Sequence, residues 1–153
     1  MRASYLFGLP ASACSVELSW TLESVPFRPR EWKAFQFGEL SPKRVVASRD
    51  AASGVLDANG SARFKVELPQ VETASALCLH AVGRVLDVGG RPVAQELSVP
   101  VDPAPLYLGL RAGAERLAGD TPGTRAGRII AGQPARFECV AVQPDGSPAG
   151  LDA

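Results

Sequence analysis

Residues 76–101 read ALCLHAVGRVL, then DVGGR, then PVAQELSVPV, and the way the two apolar runs can face each other decides the fold. If Gly89-Gly90 alone formed a two-residue turn, Leu86 would face Val93, and His80 and Arg84 would share the apolar face. A three-residue loop, Val88-Gly89-Gly90, instead sets Asp87 opposite Arg91. Leu77, Leu79, Ala81 and Val85 then line up with Val101, Val99, Leu97 and Val93 on one face, while His80, Arg84, Ser98 and Glu96 occupy the other. A slip of one residue inverts every side chain, so burial selects the second register. The stretch is predicted to be an antiparallel hairpin with His80 pointing outward.

Turns of related chemistry recur at Leu56-Asp57-Ala58-Asn59-Gly60 and Val142-Gln143-Pro144-Asp145-Gly146. Each lies between β-prone runs and ends on a glycine that can take positive φ without a Cβ clash, which suits a type I turn followed by a G1 bulge. Strand-like segments fall at about Ser4–Leu9, Cys14–Glu23, Trp32–Phe37, Arg44–Ser48, Ala62–Leu68, Ala76–Leu86 and Pro92–Val101. That is roughly the seven of an immunoglobulin-like sandwich, and no useful length shows the 3.6-residue period of an amphipathic helix. The expected fold is all-β: an antiparallel immunoglobulin-like β-sandwich, with Leu18, Trp20, Phe64, Val66, Leu79, Leu97 and Val99 sharing one core. Asp102-Pro103-Ala104-Pro105 forms a proline-stiffened joint. After it come Leu106–Arg111, a Gly/Ala/Arg-rich loop expected to be the most protease-sensitive part between Gly113 and Gly132, and Ala135–Val142. Two strands cannot close a sandwich. The domain expectation is therefore 1–103 for the sandwich and 104–153 for the truncated opening of a second β domain.

The chain has 153 residues, 46% of them hydrophobic, enough to build a core. Sixteen basic residues balance sixteen acidic ones, so no net positive field draws in nucleic acid or anionic lipid. The three cysteines, Cys14, Cys78 and Cys139, include no C-x-x-C pair, and there is one histidine, too few ligands for a zinc site. They read as free, small apolar residues. Alternation places Cys14 inward and Cys78 outward, so those two should not pair. Met1-Arg2, Tyr5–Leu9 and Ala11-Ser12-Ala13-Cys14 mimic a lipoprotein signal ending at a cysteine. Pro10 breaks the short apolar part, alanine stands three residues before the cysteine, and Cys14 continues the inner face of Val16, Leu18, Trp20 and Leu22, so a strand is the better reading. No apolar run approaches the ~20 residues that span a bilayer.

No reactive constellation emerges, and no catalytic, cofactor-binding or metal residue is assigned. His80 lies mid-strand on a polar face without a G-x-S-x-G elbow, so it reads as a solvated strand residue; a pocket gathering it with an acid and a serine would revive an enzyme reading. Asp57 and Asn59 before Gly60 lack the later ligands of a calcium loop. Glu17 with Glu23 and Glu67 with Glu72 belong to solvent-facing strand or loop positions, and a phosphate-cradling G-x-x-x-x-G-K is missing. Trp20 and Trp32 could form a sugar-stacking platform; Trp20 shares its face with Val16, Leu18 and Leu22 and reads as core, whereas Trp32 stands beside Phe35 and Phe37.

Several motifs in order resemble one family. They are Tyr5-Leu6-Phe7-Gly8-Leu9-Pro10-Ala11, Val16-Glu17, Trp32-Lys33-Ala34-Phe35-Gln36-Phe37-Gly38, and Leu56-Asp57-Ala58-Asn59-Gly60-Ser61-Ala62 with the apolar run to Pro69. Arg84 through Pro92, Val99-Pro100-Val101, Tyr107-Leu108-Gly109-Leu110, and Gly132-Gln133-Pro134-Ala135 leading to Pro144-Asp145-Gly146 complete the series. Over nearly its whole length the chain resembles bacterial alpha-2-macroglobulins. In that family a chain of macroglobulin domains carries a bait region and usually a thioester domain; cleavage of the bait triggers a shape change that traps the protease. The resemblance implies a macroglobulin-like domain over 1–103, just ahead of the bait-bearing domain, and the first strands of that domain over 104–153. Neither a C-x-E-Q thioester signature nor a bait stretch occurs in the sequence. The implied role is structural, in a protease-trapping endopeptidase inhibitor of the periplasm or cell envelope whose parent could be lipid-anchored. Its partners would be neighbouring macroglobulin domains and, for the full-length protein, target proteases, with no cofactor, nucleic acid or small-molecule substrate. The alternative is an adhesive or carbohydrate-binding β-sandwich of a bacterial surface protein, which exposed coplanar aromatics would favour and buried Trp20 and Trp32 would oppose.

Overall fold

A computed structural model describes residues 1–39, 44–86, 89, 91–113, 131–132 and 134–150. The chain is all-β and antiparallel, with strands β1 (Ser15–Val25), β2 (Gln36–Phe37), β3 (Arg44–Val55), β4 (Ala76–Leu86), β5 (Pro92–Val101), β6 (Tyr107–Ala112) and β7 (Phe137–Val142). They form a four-stranded sheet in the order β3-β1-β4-β5 and a three-stranded sheet in the order β2-β6-β7. Two compact units result: Met1–Val25, Pro42–Val71 and Leu77–Val101 in the first, Pro26–Ser41, Glu72–Ala76 and Asp102–Ala153 in the second. Because β2 pairs with β6, these units interleave along the chain.

In the first unit, β4 and β5 take the register that burial selects. Leu77 faces Val101, Leu79 faces Val99, Ala81 faces Leu97, and Val85 faces Val93. The loop itself, apart from Gly89, lies outside the described residues. The β3 strand runs from Arg44 to Val55, well past the expected end at Ser48, because β1 pairs with it from Ser15 to Ser24 through two register shifts. Pairing here overrides the poor strand preference of Asp50 and Gly54.

Two expected strands are absent. Residues 62–71 form no ladder, yet Ala62, Phe64 and Val66 alternate half-buried with exposed Arg63, Lys65 and Glu67. The period-2 pattern marked one buried side of an extended chain rather than pairing. Ser4–Leu9 instead closes as a small hairpin: Tyr5 N–H donates to Leu9 O at 2.8 Å, Gly8 N–H to Tyr5 O at 2.9 Å, and Gly8 takes φ +89°.

Among the described residues, the expected single core divides between two clusters. One joins Ala11, Cys14, Val16 and Leu56, with Tyr5, Phe64 and Val85 packed against them. The other joins Trp20, Leu22 and Leu77, with Val66, Val71, Leu79 and Val101 around them. Leu18 is half-buried, and Leu97 and Val99 are 61% and 38% exposed. Residues 62–71 send Val66 and Val71 against the β1–β4 cluster, whereas β5 is exposed along all but its last residue.

The second unit is built on aromatic packing. Phe27 stacks on Tyr107 with ring centroids 4.0 Å apart and meets Phe37 edge-on at 5.3 Å. A Cβ on Gly109 would stand 2.6 Å from the Phe37 ring, so this glycine is the space that ring occupies. The Tyr107 hydroxyl donates to Asp102 Oδ1 at 2.6 Å, fixing the proline-rich joint to β6. The expected Trp32–Phe37 strand is a 3₁₀ turn at Arg30–Trp32 followed by the two-residue β2. The bonds Trp32 N–H to Pro29 O and Phe35 N–H to Trp32 O bend the chain before it can pair. Two predicted bulged turns form as expected, with Gly60 at φ +70° and Gly146 at φ +91°. Gly60 N–H donates to Asp57 O, and Gly146 N–H to Gln143 O, both at 2.9 Å. The Gly/Ala/Arg-rich stretch 114–130 lies outside the described residues.

Candidate functional site

Among the described residues, polar side chains meet beside a cleft in each unit. In the first, His80 on β4 lies on the face opposite Leu79, as the register requires, but it is not freely solvated. Its Nδ1 lies 2.9 Å from Ser98 Oγ and 3.7 Å from Glu96 Oε1, both on β5. Nε2 faces Glu23 Oε2 of β1 at 3.8 Å, and the His80 and Glu23 side chains are 24% and 19% exposed. Glu23 is thus not the solvent-facing carboxylate its strand position suggested. A cleft of about 310 Å³ opens here between Ser19, Thr21, Glu23 and His80.

The structure therefore does gather histidine, serine and acid. Acyl transfer, however, needs the carboxylate within hydrogen-bond reach of the imidazole and donors aimed at a developing oxyanion. Glu23 stands beyond that reach, and Ser98 sits mid-strand in a regular ladder rather than on a strained elbow. The arrangement is that of a polar tie joining β1, β4 and β5.

In the second unit a cleft of about 590 Å³ is bordered by Trp32, Phe35, Arg111, Glu138 and Cys139. Trp32 and Phe35 meet edge-to-face at 5.5 Å, and the Arg111 guanidinium lies 4.7 Å over the Phe35 ring. Arg111 Nε donates to Glu138 Oε2 at 3.0 Å, and the Trp32 indole N–H donates to Gly146 O at 3.0 Å, tying the 3₁₀ turn to the bulged hairpin. The sequence marks Trp32 but carries no signal for Arg111 or Glu138, which reach the same place from β6 and β7.

The remaining candidates are dispersed. Asp57 Oδ1 accepts from Asn59 N–H at 2.8 Å and Ser61 N–H at 2.9 Å, so it serves its own turn. Asp145 does likewise for Ser147, whose hydrogen bonds hold that carboxyl below the usual carboxylate range. Trp20 is core. Glu67 pairs with Lys65 in solvent, and Glu72 is exposed. Cys14 is buried beside the Tyr5 hydroxyl, Cys78 half-buried on β4 and Cys139 exposed on β7. Among the described residues no group of three or more His, Cys, Asp or Glu is placed to hold a metal, and no helix is long and apolar enough to cross a membrane.

Residues 1–103 match the family model of the bacterial alpha-2-macroglobulin MG5 domain. The alpha-2-macroglobulin of Escherichia coli K12 is 27% identical over 107 residues, 70% of this chain and 6% of that protein. A structure of E. coli alpha-2-macroglobulin activated by porcine elastase is similar with a TM-score of 0.62 at 24% identity, over 93% of this chain and 12% of that one. The trypsin-activated E. coli protein gives 0.62 at 25% identity, over 94% and 10%. The chain thus spans a small part of the length of the relatives it matches.

Proposed function

The chain belongs to the bacterial alpha-2-macroglobulin family, and from that premise we propose that it is a structural module of a protease-trapping inhibitor and not an enzyme. The observation that carries the reading is the family match over residues 1–103, together with a fold likeness that runs on through most of the remainder. In this reading residues 1–103 are one macroglobulin-like domain and 104–153 the first part of the next. The module works in the periplasm or cell envelope, its partners are neighbouring domains of a longer parent, and protease capture belongs to the parent. The E. coli relative's length is consistent with such a parent.

The test is a protease assay with a large and a small substrate and this chain in excess. A trap shields a captured protease from large substrates while small ones still enter. Unchanged activity on both substrates is expected; selective loss on the large one would show that the chain traps by itself. A periplasmic reporter fusion checks the compartment.

A further inference from the structure

The cleft between Trp32, Phe35, Arg111 and Glu138 opens beside the ties that hold this unit together, and its chemistry is specific. The Trp32 N–H is already committed to Gly146 O, so this half-buried ring borders the cleft without a free donor. Arg111 is held by Glu138 and by the Phe35 ring, which compensates its charge twice. Both side chains nevertheless remain reachable, at 40% and 51% exposed. An anion would have to displace Glu138, and a cation would find, among the described residues, Glu31 and a Glu138 already paired with Arg111. A sugar ring has an apolar C–H face and outward hydroxyls, which match an aromatic wall beside a fixed donor–acceptor pair. We propose that this cleft binds a neutral saccharide, stacked on Trp32, with hydroxyls accepting from Arg111 and donating to Glu138.

The experiment is a nitrogen-15 NMR titration of the whole chain with cellobiose, maltose and N,N′-diacetylchitobiose, and with tri-lysine as the charged probe. At least one disaccharide is expected to move the Trp32 indole and Arg111 Nε signals saturably at millimolar concentration, while the Trp20 indole stays still. Trp32→Leu should bind about tenfold more weakly, the loss of one stacking surface. Since Trp32 also anchors Gly146, Arg111→Lys is the second variant; it keeps the charge without the planar fork and should weaken binding with the remaining spectrum unchanged. The proposal is overturned if no disaccharide moves those two signals, if Trp20 moves equally, or if tri-lysine binds more tightly than every disaccharide.

Discussion

Tyr107, 3% exposed, couples two roles in one side chain: its ring stacks on Phe27, and its hydroxyl reaches Asp102. Burial, then the hydrogen bond and the charge of Asp102, push the phenol above its ordinary value, so the folded state favours the neutral form. Its contribution to stability is fully present below about pH 10, where an unfolded tyrosine begins to ionise, and is lost as pH rises through the raised folded value. Tyr107→Phe should lower stability by about 1 kcal/mol at neutral pH and flatten the alkaline decline, both read from denaturant midpoints across pH. Gly109→Ala should cost about 1–3 kcal/mol by the same measurement, because the new methyl displaces the Phe37 ring. Neither role was legible in the sequence. Tyr107-Leu108-Gly109-Leu110 reads as a strand with a weak residue in it, and the reason for the glycine lies more than seventy residues away. The side assigned to His80 was legible from alternation; the cover supplied by Glu23 of β1 was not, since no local pattern brings those strands together.

At the scale of elements, β4 and β5 could be read to the residue because a strict two-residue period and a short loop leave one register that buries one face. The same period misled at 62–68, where one side is buried without a ladder, and at Ser4–Leu9, where Gly8 closes a hairpin inside the presumed strand. Alternation reports burial, and pairing requires a partner that only the fold provides. The edge strand β5 carries a further device. Pro92 and Pro100 lie an even number of residues apart, so their missing N–H groups fall on the same side. Proline on an edge strand keeps that side away from the ladder. The outer edge of β5 thus lacks donors at both ends, which discourages pairing with another chain. Replacing both prolines by threonine should change stability by no more than about 0.5 kcal/mol while producing concentration-dependent self-association in sedimentation experiments. A variant that stays monomeric at every concentration would remove this role from the prolines.

For the whole molecule, the question is whether an apolar side chain contributes through its pattern or through what covers it. Leu22 and Leu97 have equally good sequence claims to the interior, each on the apolar side of an alternating strand. Leu22 is 1% exposed and packs with Trp20 and Leu77, whereas Leu97 is 61% exposed on β5 beside Val93 at 69%. Truncating a buried leucine loses its transfer free energy and leaves a cavity, so Leu22→Ala should cost about 2–5 kcal/mol. Leu97→Ala removes atoms that already face water and should cost no more than about 0.5 kcal/mol. Leu97→Glu should be tolerated equally well and should reduce binding of a hydrophobic dye, since it interrupts an exposed apolar stripe. Equal losses for Leu22→Ala and Leu97→Ala in denaturant unfolding would mean that β5 is covered in solution. That outcome would restore the single core expected from alternation and overturn the division into two clusters.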